Sequence, residues 1–455
     1  MKSSINHIVI IGANAAGLSA ASRVRRNNSE VKITVFEKSS HVSYAACGLP
    51  YFISDEVHHA ENLVAVKLED FIEQRKILIK LNHEALSFDS GSKTIRVNDL
   101  ENSSITEHEY DVLIIATGAL PIRPSIPGSH LINIFPLRTM QEGLAIKEHI
   151  ERTHPENVLI VGGGYVGLEM AESFVKRKLK VTLVETHDRL MANMDKEMSA
   201  IIEAHLNEKG CRLIKSDKPV AYIGDEKVER VRFQRTDEMP FDMVLISSGI
   251  RPNVDFAKGS GIELGRSGAI AVNSRMQTNK VNVYAAGDCA EVKNLVTGKN
   301  DYVPLGTTAN KQGRVAGDNA CGKISHFRGI VATAAVKVFD LEIARTGINE
   351  QQAKDLHFPY KKVIIQDKTL ASYYPGSEAI TVLLIFNVAN GRLLGAQIIG
   401  YKGAAKRIDV LATGLYKSMT VNEIAELDLS YAPPFSPVWD PVLIAANQAV
   451  KLVRK

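Results

Sequence analysis

Two stretches of the chain share one pattern of apolar and polar residues. Each begins with a short apolar strand, continues through a glycine-rich turn and a helix, and ends with a second apolar strand that finishes on a glutamate. The first stretch runs from His7 to Glu37 and the second from Asn157 to Glu185. Continuous β-branched runs of this length are typical of parallel strands buried on both faces. The pattern therefore predicts two βαβ units in parallel sheets.

The turns of both units have a glycine spacing that suits a dinucleotide. The first turn, residues 12–17, reads GANAAG, with asparagine at the middle glycine position, and the second, residues 162–167, is a full GxGxxG. The first glycine permits the tight turn and the last allows close packing of helix on strand. The helix N-terminus then faces the pyrophosphate, and the terminal glutamate accepts a hydrogen bond from a ribose hydroxyl. The predicted binding residues are Gly12, Ala16, Gly17 and Glu37 in the first unit, and Gly162, Gly164, Tyr165, Gly167 and Glu185 in the second.

Four later segments add candidates for the same sites. Residues 110–118 and 241–249 are buried strands that end in small residues, so their backbones can pass close to a nucleotide. A third strand, starting at Val281, leads to Asp288, which is placed to bind a ribityl hydroxyl of a flavin and to cap a following helix, two roles that are compatible. Residues 304–314 open a helix whose free N–H groups suit the flavin's pyrimidine edge. These segments supply Thr117, Gly118, Gly249, Asp288 and Ala309.

Cys47 lies in the stretch Ser43–Tyr51, SYAACGLPY, ten residues after Glu37. A lone cysteine is commonly a buried structural residue. Its position just after the first unit instead predicts contact with a bound flavin, and a nearby flavin and helix dipole would favour the reactive thiolate. The other cysteines, at 211, 289 and 321, are widely scattered without CxxC or metal-ligand spacing. We therefore expect no structural disulfide, no metal site and a reducing, cytoplasmic setting.

The character of the chain changes at about residue 329. Alternating strand patterns and a helical stretch follow, without a nucleotide fingerprint, and Asn390-Gly391 is a typical hairpin turn. The predicted elements are strands at 361–365, 380–387 and 393–399 and a helix at 406–417. We interpret this part as an α+β domain without a cofactor, and dimerisation is the common use of such a domain.

Composition and charge exclude several function classes. The 455 residues are 45% hydrophobic and 23% charged, and the formal net charge is +4, which gives no argument for nucleic acid or a membrane surface as a partner. The N-terminus does not read as a signal peptide. No apolar run approaches the ~20 residues that span a bilayer. The sequence thus predicts a soluble, cytoplasmic protein.

The two units, the ATG and GD segments, the placed cysteine and the last domain together resemble the FAD-dependent pyridine nucleotide-disulfide oxidoreductases. The resemblance implies an α/β fold with two Rossmann-like domains and a C-terminal α+β dimerisation domain, and a homodimer. It implies FAD in the first unit and NADH in the second, with NADPH as an alternative, since Glu185 favours NADH while His187 and Arg189 soften that preference. The implied domains are 1–118 with 249–328 for FAD, 119–248 for NAD(P)H and 329–455 for dimerisation.

Within that family the chain resembles the single-cysteine branch. The positions five before and five after Cys47 are Val42 and Phe52, so the CxxxxC pair of other members is absent. Ala15 stands where peroxidases and oxidases carry a histidine, and SYAACGLPY is similar to the SFxNC segment of coenzyme A-disulfide reductases. The resemblance implies an NAD(P)H-dependent reductase of coenzyme A disulfide, persulfides or polysulfides, with coenzyme A as substrate or as a mixed disulfide. The alternatives are an NADH oxidase and a flavin reductase of a small redox carrier protein.

The same resemblance implies further site residues. Tyr431 and Tyr373 would reach Cys47 of the other subunit across the dimer. Two departures from the family pattern are Ala46, in place of asparagine, and Trp439, in place of a basic residue. The arginines of the first helix are equally consistent with a solvated helix face. The substrate-binding residues implied are Ser19, Arg23, Arg26, Ser43, Arg75, Asn310 and Trp439.

Overall fold

The computed structural model describes residues 5–454, and its first parallel sheet joins two distant parts of the chain. Strand β18 (Val283–Ala285) pairs with β7 (Val112–Ile115). The sheet order is β18-β7-β1-β2-β3, and all four pairings are parallel. The elements up to residue 118 are β1 (His7–Ile11), α1 (Ala15–Asn27), β2 (Lys32–Phe36), α2 (Leu49–Ile53), β3 (Leu78–Lys80), β4 (His83–Asp89), β5 (Thr94–Asp99), β6 (Ser104–Glu109) and β7 (Val112–Ile115). The strands β4-β5-β6 form a separate antiparallel sheet.

The second unit has its own parallel sheet, in the order β12-β11-β10-β16-β9. The two short antiparallel strands β8 and β17 lie where the chain enters and leaves this unit. The elements are β8 (Ala119–Pro121), β9 (Ile134–Pro136), α3 (Met140–Thr153), β10 (Asn157–Val161), α4 (Tyr165–Lys176), β11 (Lys180–Glu185), α5 (Lys196–Glu208), β12 (Arg212–Lys215), β13 (Pro219–Ile223), β14 (Arg230–Phe233), β15 (Met239–Pro240), β16 (Met243–Ile246) and β17 (Ile250–Pro252).

The last part of the chain forms an antiparallel sheet in the order β21-β22-β25-β24-β23. Gly391, at φ +72°, makes the expected turn between β24 and β25. The remaining elements are β18 (Val283–Ala285), β19 (Val292–Lys293), β20 (Asn300–Asp301), α6 (Gly306–Ala320), β21 (Ala334–Val338), β22 (Leu341–Gly347), α7 (Glu350–Asp355), β23 (Tyr360–Lys368), β24 (Ala379–Asn387), β25 (Leu393–Gly400), α8 (Ile408–Lys417), α9 (Val421–Ala425) and α10 (Pro441–Val450).

The predicted α/β class, with two parallel-sheet units and a C-terminal α+β part, is confirmed. The prediction of a helix directly after Asp288 is wrong. Asp288 lies in a turn, and the next helix, α6, begins at Gly306. The intervening residues instead form the short hairpin β19–β20. The aspartate therefore caps no helix, and its carboxylate is left for another partner.

The core explains where α2 lies. Its residues Leu49, Phe52 and Ile53 are buried in one apolar cluster with side chains from the second unit and from the C-terminal sheet. Burial of a side chain such as Phe52 is worth about 2 kcal/mol. Pro50 occupies the first turn, where a missing N–H costs no helical hydrogen bond. The helix thus belongs in sequence to the first unit but packs on the others.

A buried carboxylate fastens the second unit to the C-terminal part. Glu172 on α4 is 3% exposed, and it accepts hydrogen bonds from Lys337 Nζ at 2.5 Å and from the Phe339 backbone N–H at 2.8 Å. Lys176 adds a second ion pair at 2.6 Å. Within residues 5–454, no helix combines the length and apolar character that crossing a bilayer requires.

Candidate active site

Cys47 lies in a short 3₁₀ turn, Ala46–Gly48, directly before α2. The segment before it is tied to the first glycine turn, because the Ser43 backbone N–H donates to the Ala13 carbonyl at 3.0 Å. The helix after it is tied to the second unit, because the Ser173 hydroxyl donates to the Pro50 carbonyl at 2.9 Å. Cys47 is itself exposed. The two nucleotide-type units therefore meet at an accessible thiol.

The charges around Cys47 come from three separate segments. Partial loss of water raises the pKa of the Cys47 thiol, the carboxylates of Glu169 and Asp288 raise it further, and Arg138 lowers it. Glu169, on α4, has its pKa raised to about 7, first by burial and then by the neighbouring charge of Glu172. This carboxyl therefore carries a proton for part of the time at neutral pH. A group with a pKa near the working pH is suited to proton transfer.

Glu169→Gln is expected to lower the pKa of Cys47, because the variant removes a negative charge that disfavours the thiolate. In the wild type this charge is present above about pH 7 and is lost as the pH falls and Glu169 gains a proton. We expect Cys47 of the variant to react about three to ten times faster with iodoacetamide at pH 8. The measurement is the alkylation rate of Cys47 across pH 6 to 9, by mass spectrometry. Glu148→Gln, at an exposed position on α3, is the control, and an unchanged pH profile in Glu169→Gln would contradict the assignment.

The first glycine turn has the geometry of a nucleotide cradle. Gly12 has φ +101°, and a Cβ there would lie 2.3 Å from the Ala116 carbonyl oxygen. A Cβ on Gly17 would lie 1.9 Å from the Gly12 oxygen, so α1 packs directly on the turn. The carboxylate of Glu37 accepts from the Ala13 backbone N–H at 2.7 Å and therefore stands beside the turn. These residues fit the adenosine half of a dinucleotide.

The second turn repeats this arrangement and leaves more space. A Cβ on Gly162 would lie 2.5 Å from the Ser247 oxygen, and one on Gly167 would lie 2.1 Å from the Gly162 oxygen. A Cβ on Gly164 would meet no heavy atom within 4 Å, so the space in front of α4 is open. Glu185 accepts from the Gly163 backbone N–H at 2.8 Å. A Cβ on Gly164 would project into this open space, where a pyrophosphate approaches.

The other predicted cofactor residues gather around these turns. A Cβ on Gly287 would lie 2.9 Å from the Ala16 side chain and 3.5 Å from that of Ala309, which brings α1, α6 and the Asp288 turn together. Gly118 and Gly249 both have positive φ, and each directly precedes one of the paired antiparallel strands β8 and β17. Two side chains form further hydrogen bonds there: Thr117 donates to the Asn253 carbonyl at 2.6 Å, and Asn193 donates to the Tyr165 hydroxyl at 3.3 Å.

Sequence reasoning missed two residues beside Cys47. Arg138, just before α3, pairs with Asp288 at 2.5 Å across 150 residues of sequence, and no local pattern signals such a pair. Glu169 did leave a signal, since it is an acidic residue in a helix that reads YVGLEMAESFVK and is otherwise largely apolar. A carboxylate on the buried face of a helix is costly unless paired, and it is therefore a candidate functional group.

Some of the predicted substrate residues contact one another or other side chains of the protein, and others do not. Ser19 and Asn310 are brought together, with the serine hydroxyl donating to the asparagine carbonyl oxygen at 2.6 Å. Arg23 is held by Asp318 at 2.6 and 3.1 Å, and Arg75 donates to Ser22 at 2.8 Å. Both arginines thus have protein partners, whereas Arg26 is exposed. Ser43 adopts a left-handed conformation, φ +52°, beside the first turn.

The aromatic residues of the C-terminal part form an exposed group. The exposed fraction is 75% for Tyr373, 61% for Trp439 and 47% for Tyr431. The neighbouring Tyr373 hydroxyl raises the pKa of Tyr431. Among the residues that the structure describes, no hydrogen bond joins either tyrosine to Cys47 of the same chain. Large aromatic residues exposed together commonly mark a protein–protein contact.

Two family descriptions together match most of the chain. Residues 6–313 match "Pyridine nucleotide-disulphide oxidoreductase", and residues 333–441 match the dimerisation domain of the same family. The first match includes both glycine turns, Cys47 and Asp288, and the second includes the antiparallel sheet and the exposed tyrosines.

Several proteins are similar to this chain over nearly its whole length. An NAD(P)H coenzyme A polysulfide/persulfide reductase from Pyrococcus horikoshii is 39% identical over 441 residues, 97% of each chain. A coenzyme A disulfide reductase from Staphylococcus aureus is 32% identical over 97% of this chain and 99% of its own. An NADH oxidase from Methanocaldococcus jannaschii is 36% identical over 97% and 98%.

Among solved structures, the NAD-dependent persulfide reductase from A. fulgidus superposes with a TM-score of 0.95 at 39% identity, covering 98% of this chain and 83% of that one. The glycine turns, the accessible cysteine between them and the separate C-terminal sheet agree with this family in both sequence and geometry. The predictions of FAD and a pyridine nucleotide as cofactors are confirmed with it. The chain belongs to the pyridine nucleotide-disulphide oxidoreductase family.

Proposed function

We propose that this protein reduces coenzyme A disulfide, or related persulfides and polysulfides, with NAD(P)H through FAD and the single redox-active thiol of Cys47. The observation that carries the proposal is the position of that thiol, which is accessible and lies where the two nucleotide units meet. The names of the similar proteins from Pyrococcus horikoshii and Staphylococcus aureus support the same substrate class.

We assign FAD to the unit made of residues 1–118 and 249–328, and NAD(P)H to residues 119–248. Glu37 and the turn at Gly12 would hold the adenosine half of FAD. Asp288 would accept a hydrogen bond from the ribityl chain, either in place of its ion pair with Arg138 or in addition to it. When bound, FAD supplies the two electrons, taken as hydride from NAD(P)H, that return oxidised Cys47 to the thiolate. Residues 329–455 are assigned to dimerisation.

The sulfur chemistry belongs to Cys47. Its thiolate attacks one sulfur of the substrate disulfide, a new bond to Cys47 Sγ forms, and the substrate's S–S bond breaks. The departing thiolate takes a proton, and two electrons with a second proton then release the remaining thiol and restore Cys47. Arg138 favours the thiolate through its charge, and Glu169 opposes it when ionised. The proton content of Glu169 thus influences how much nucleophile is present.

We further propose that the active site is completed by a second copy of the chain. Tyr373, Tyr431 and Trp439 are each exposed, and among the described residues neither tyrosine forms a hydrogen bond with Cys47 of its own chain, which suits a position over the partner's thiol. A phenol keeps its proton at neutral pH, and the neighbouring Tyr373 hydroxyl raises the pKa of Tyr431 further. It can therefore donate that proton to the departing sulfur. Ser19, Ser43 and Asn310 would line the approach to Cys47.

The test combines intact-protein mass spectrometry with product analysis. We expect the unreduced protein to carry an adduct on Cys47 that dithiothreitol removes, with the mass of coenzyme A for a disulfide reductase or of added sulfur atoms for a polysulfide reductase. With NADH and coenzyme A disulfide, we expect two thiols for each NADH oxidised. No thiol formation with any of these acceptors would contradict the proposal.

An NADH oxidase is the second candidate, because one specific observation favours it. The absence of a histidine in the first turn argued against a proton donor beside the cysteine, yet Glu169 brings a carboxyl with a pKa of about 7 to Cys47. The similar protein from Methanocaldococcus jannaschii is described as an NADH oxidase. Oxygen consumption that accounts for the NADH used, with little thiol formed, would favour this candidate.

A further inference from the structure

The two nucleotide units hold their terminal glutamates in the same way. In the first unit, one carboxylate oxygen of Glu37 accepts from the Ala13 backbone N–H at 2.7 Å. The other oxygen accepts from both the backbone N–H and the hydroxyl of Ser39, at 2.9 and 2.8 Å. The carboxylate is thus fixed by the glycine turn on one side and by the residue two positions later on the other.

In the second unit, the residue two positions after the glutamate is His187. One oxygen of Glu185 accepts from the Gly163 N–H at 2.8 Å, and the other accepts from the His187 backbone N–H at 2.9 Å. The His187 Nδ1 lies 2.7 Å from that same oxygen. His187 therefore occupies the place that Ser39 has in the first unit, and an imidazole replaces a hydroxyl. The remaining contacts of the two glutamates correspond.

Other charged groups lie near this pair, and one of them, Asp217, has no cationic partner within residues 5–454. The Asp217 backbone N–H donates to the Glu185 carbonyl, and its carboxylate accepts from four backbone N–H groups, which lowers its pKa and keeps its negative charge constant near neutral pH. In the same loop, Asp188 pairs with Arg189 at 2.9 Å. On the neighbouring strand β12, Lys215 lies opposite Glu185 in register and pairs with Glu203 of α5 at 2.6 Å. Each of these pairs is neutral as a whole. The Glu185 carboxylate is 12% exposed and the His187 side chain 65% exposed, so the imidazole is the part of this pair that solvent and a ligand can reach.

We propose that His187 sets the choice between NADH and NADPH through its proton. A glutamate at this position binds the 2′-hydroxyl of the adenosine ribose, and its negative charge repels the 2′-phosphate of NADPH. Histidine gains a proton between pH 5 and 8, and both ring nitrogens then donate. Protonated His187 neutralises Glu185 through Nδ1 and offers Nε2–H to the phosphate. Neutral His187, with its hydrogen on Nδ1, still donates to one oxygen of Glu185 but adds no positive charge, so the carboxylate stays negative and its other oxygen accepts from the diol of NADH. The inference rests on the proposed function only in taking the second unit as the NAD(P)H site.

Binding of two nucleotide fragments to the FAD-containing protein tests this inference without turnover. The probes are adenosine 2′,5′-bisphosphate, which carries the discriminating phosphate, and ADP, which does not, titrated by calorimetry at about pH 6 and pH 8. For wild type we expect the affinity ratio of bisphosphate to ADP to be about tenfold higher at the lower pH, as expected for one charge-assisted hydrogen bond. The ratio of kcat/KM for NADPH and NADH should move in the same direction.

His187→Ser is the decisive variant, because it installs in the second unit the residue that the first unit already uses. We expect the gain at low pH to disappear in this variant. The phosphate itself gains a proton near pH 6, but it does so with both proteins, so the comparison removes that contribution. His130→Ser, at an exposed loop position of the same unit, should behave as wild type.

The inference is overturned if wild type and His187→Ser show the same affinity ratio at both pH values. That outcome would leave sulfur reduction with NADH untouched. Conversely, a protein that shows the pH-dependent ratio but reduces no sulfur compound would refute the proposed function and retain the role of His187.

Discussion

Cys47→Ser is expected to reduce disulfide and persulfide reduction by about a thousandfold or more, because the hydroxyl of serine cannot form the sulfur–sulfur bond on which turnover depends. Cys47 is exposed and serine is nearly isosteric with cysteine, so the fold should be retained. Bound FAD should remain, since the glycine turn and Glu37 are unaffected. The measurements are thiol release for each NADH and the visible absorbance of the flavin.

Cys321→Ser is the matched control, since Cys321 is a partly buried thiol at the end of α6, distant in sequence from both glycine turns. This variant should turn over disulfides at the wild-type rate. Retained disulfide reduction in Cys47→Ser would exclude Cys47 as the reaction centre. Loss of FAD together with activity would show instead that the residue supports cofactor binding.

Tyr431→Phe is expected to slow thiol formation by about a hundredfold, the usual contribution of a positioned general acid. The variant removes one hydroxyl and keeps the ring that lies exposed on the surface. Tyr374→Phe, at the residue that follows Tyr373, is the control and should have little effect. A stopped-flow measurement of the first thiol released when the reduced enzyme is mixed with coenzyme A disulfide isolates the step at which the proton is needed.

Mixed dimers decide whether this tyrosine acts across the interface. When Cys47→Ser and Tyr431→Phe subunits are refolded together, a heterodimer contains one site that has both an intact cysteine and an intact tyrosine from its partner. Random pairing in a two-fold dimer should therefore restore about one quarter of wild-type activity. If the tyrosine served the cysteine of its own subunit, no site would be complete and activity would stay at the level of the parents.

Much of the fold follows from local sequence. The strands at His7–Ile11 and Asn157–Val161 were predicted at their observed bounds, and those at 361–365, 380–387 and 393–399 within three residues. These segments combine a clear period with glycine at a position of positive φ, and both features act over a few neighbouring residues. The structure places Glu37 and Glu185 beside their glycine turns, and this placement is local, because strand, turn and helix of one βαβ unit are contiguous in the chain.

The predictions were incomplete where the deciding contacts are distant in sequence. The stretch after Asp288 forms the hairpin β19–β20 in place of the predicted helix, and the aspartate pairs with Arg138 across 150 residues of sequence. Glu169 acquires its raised pKa from burial among segments that no local window contains. The sequence likewise does not show that Arg23 forms hydrogen bonds with Asp318 on α6, a partner that competes with a ligand for this arginine.

The sequence alone determined the two nucleotide units, the antiparallel C-terminal part and the isolated cysteine between them, because apolar period and glycine spacing act locally. Only the tertiary structure decided what surrounds that cysteine. Helix α2 packs on α3 and α4 of the second unit, and this packing brings Glu169 close to the thiol. The ion pair between Asp288 and Arg138, which lies just before α3, supplies the other charges near Cys47. The environment of Cys47 is thus the product of long-range burial.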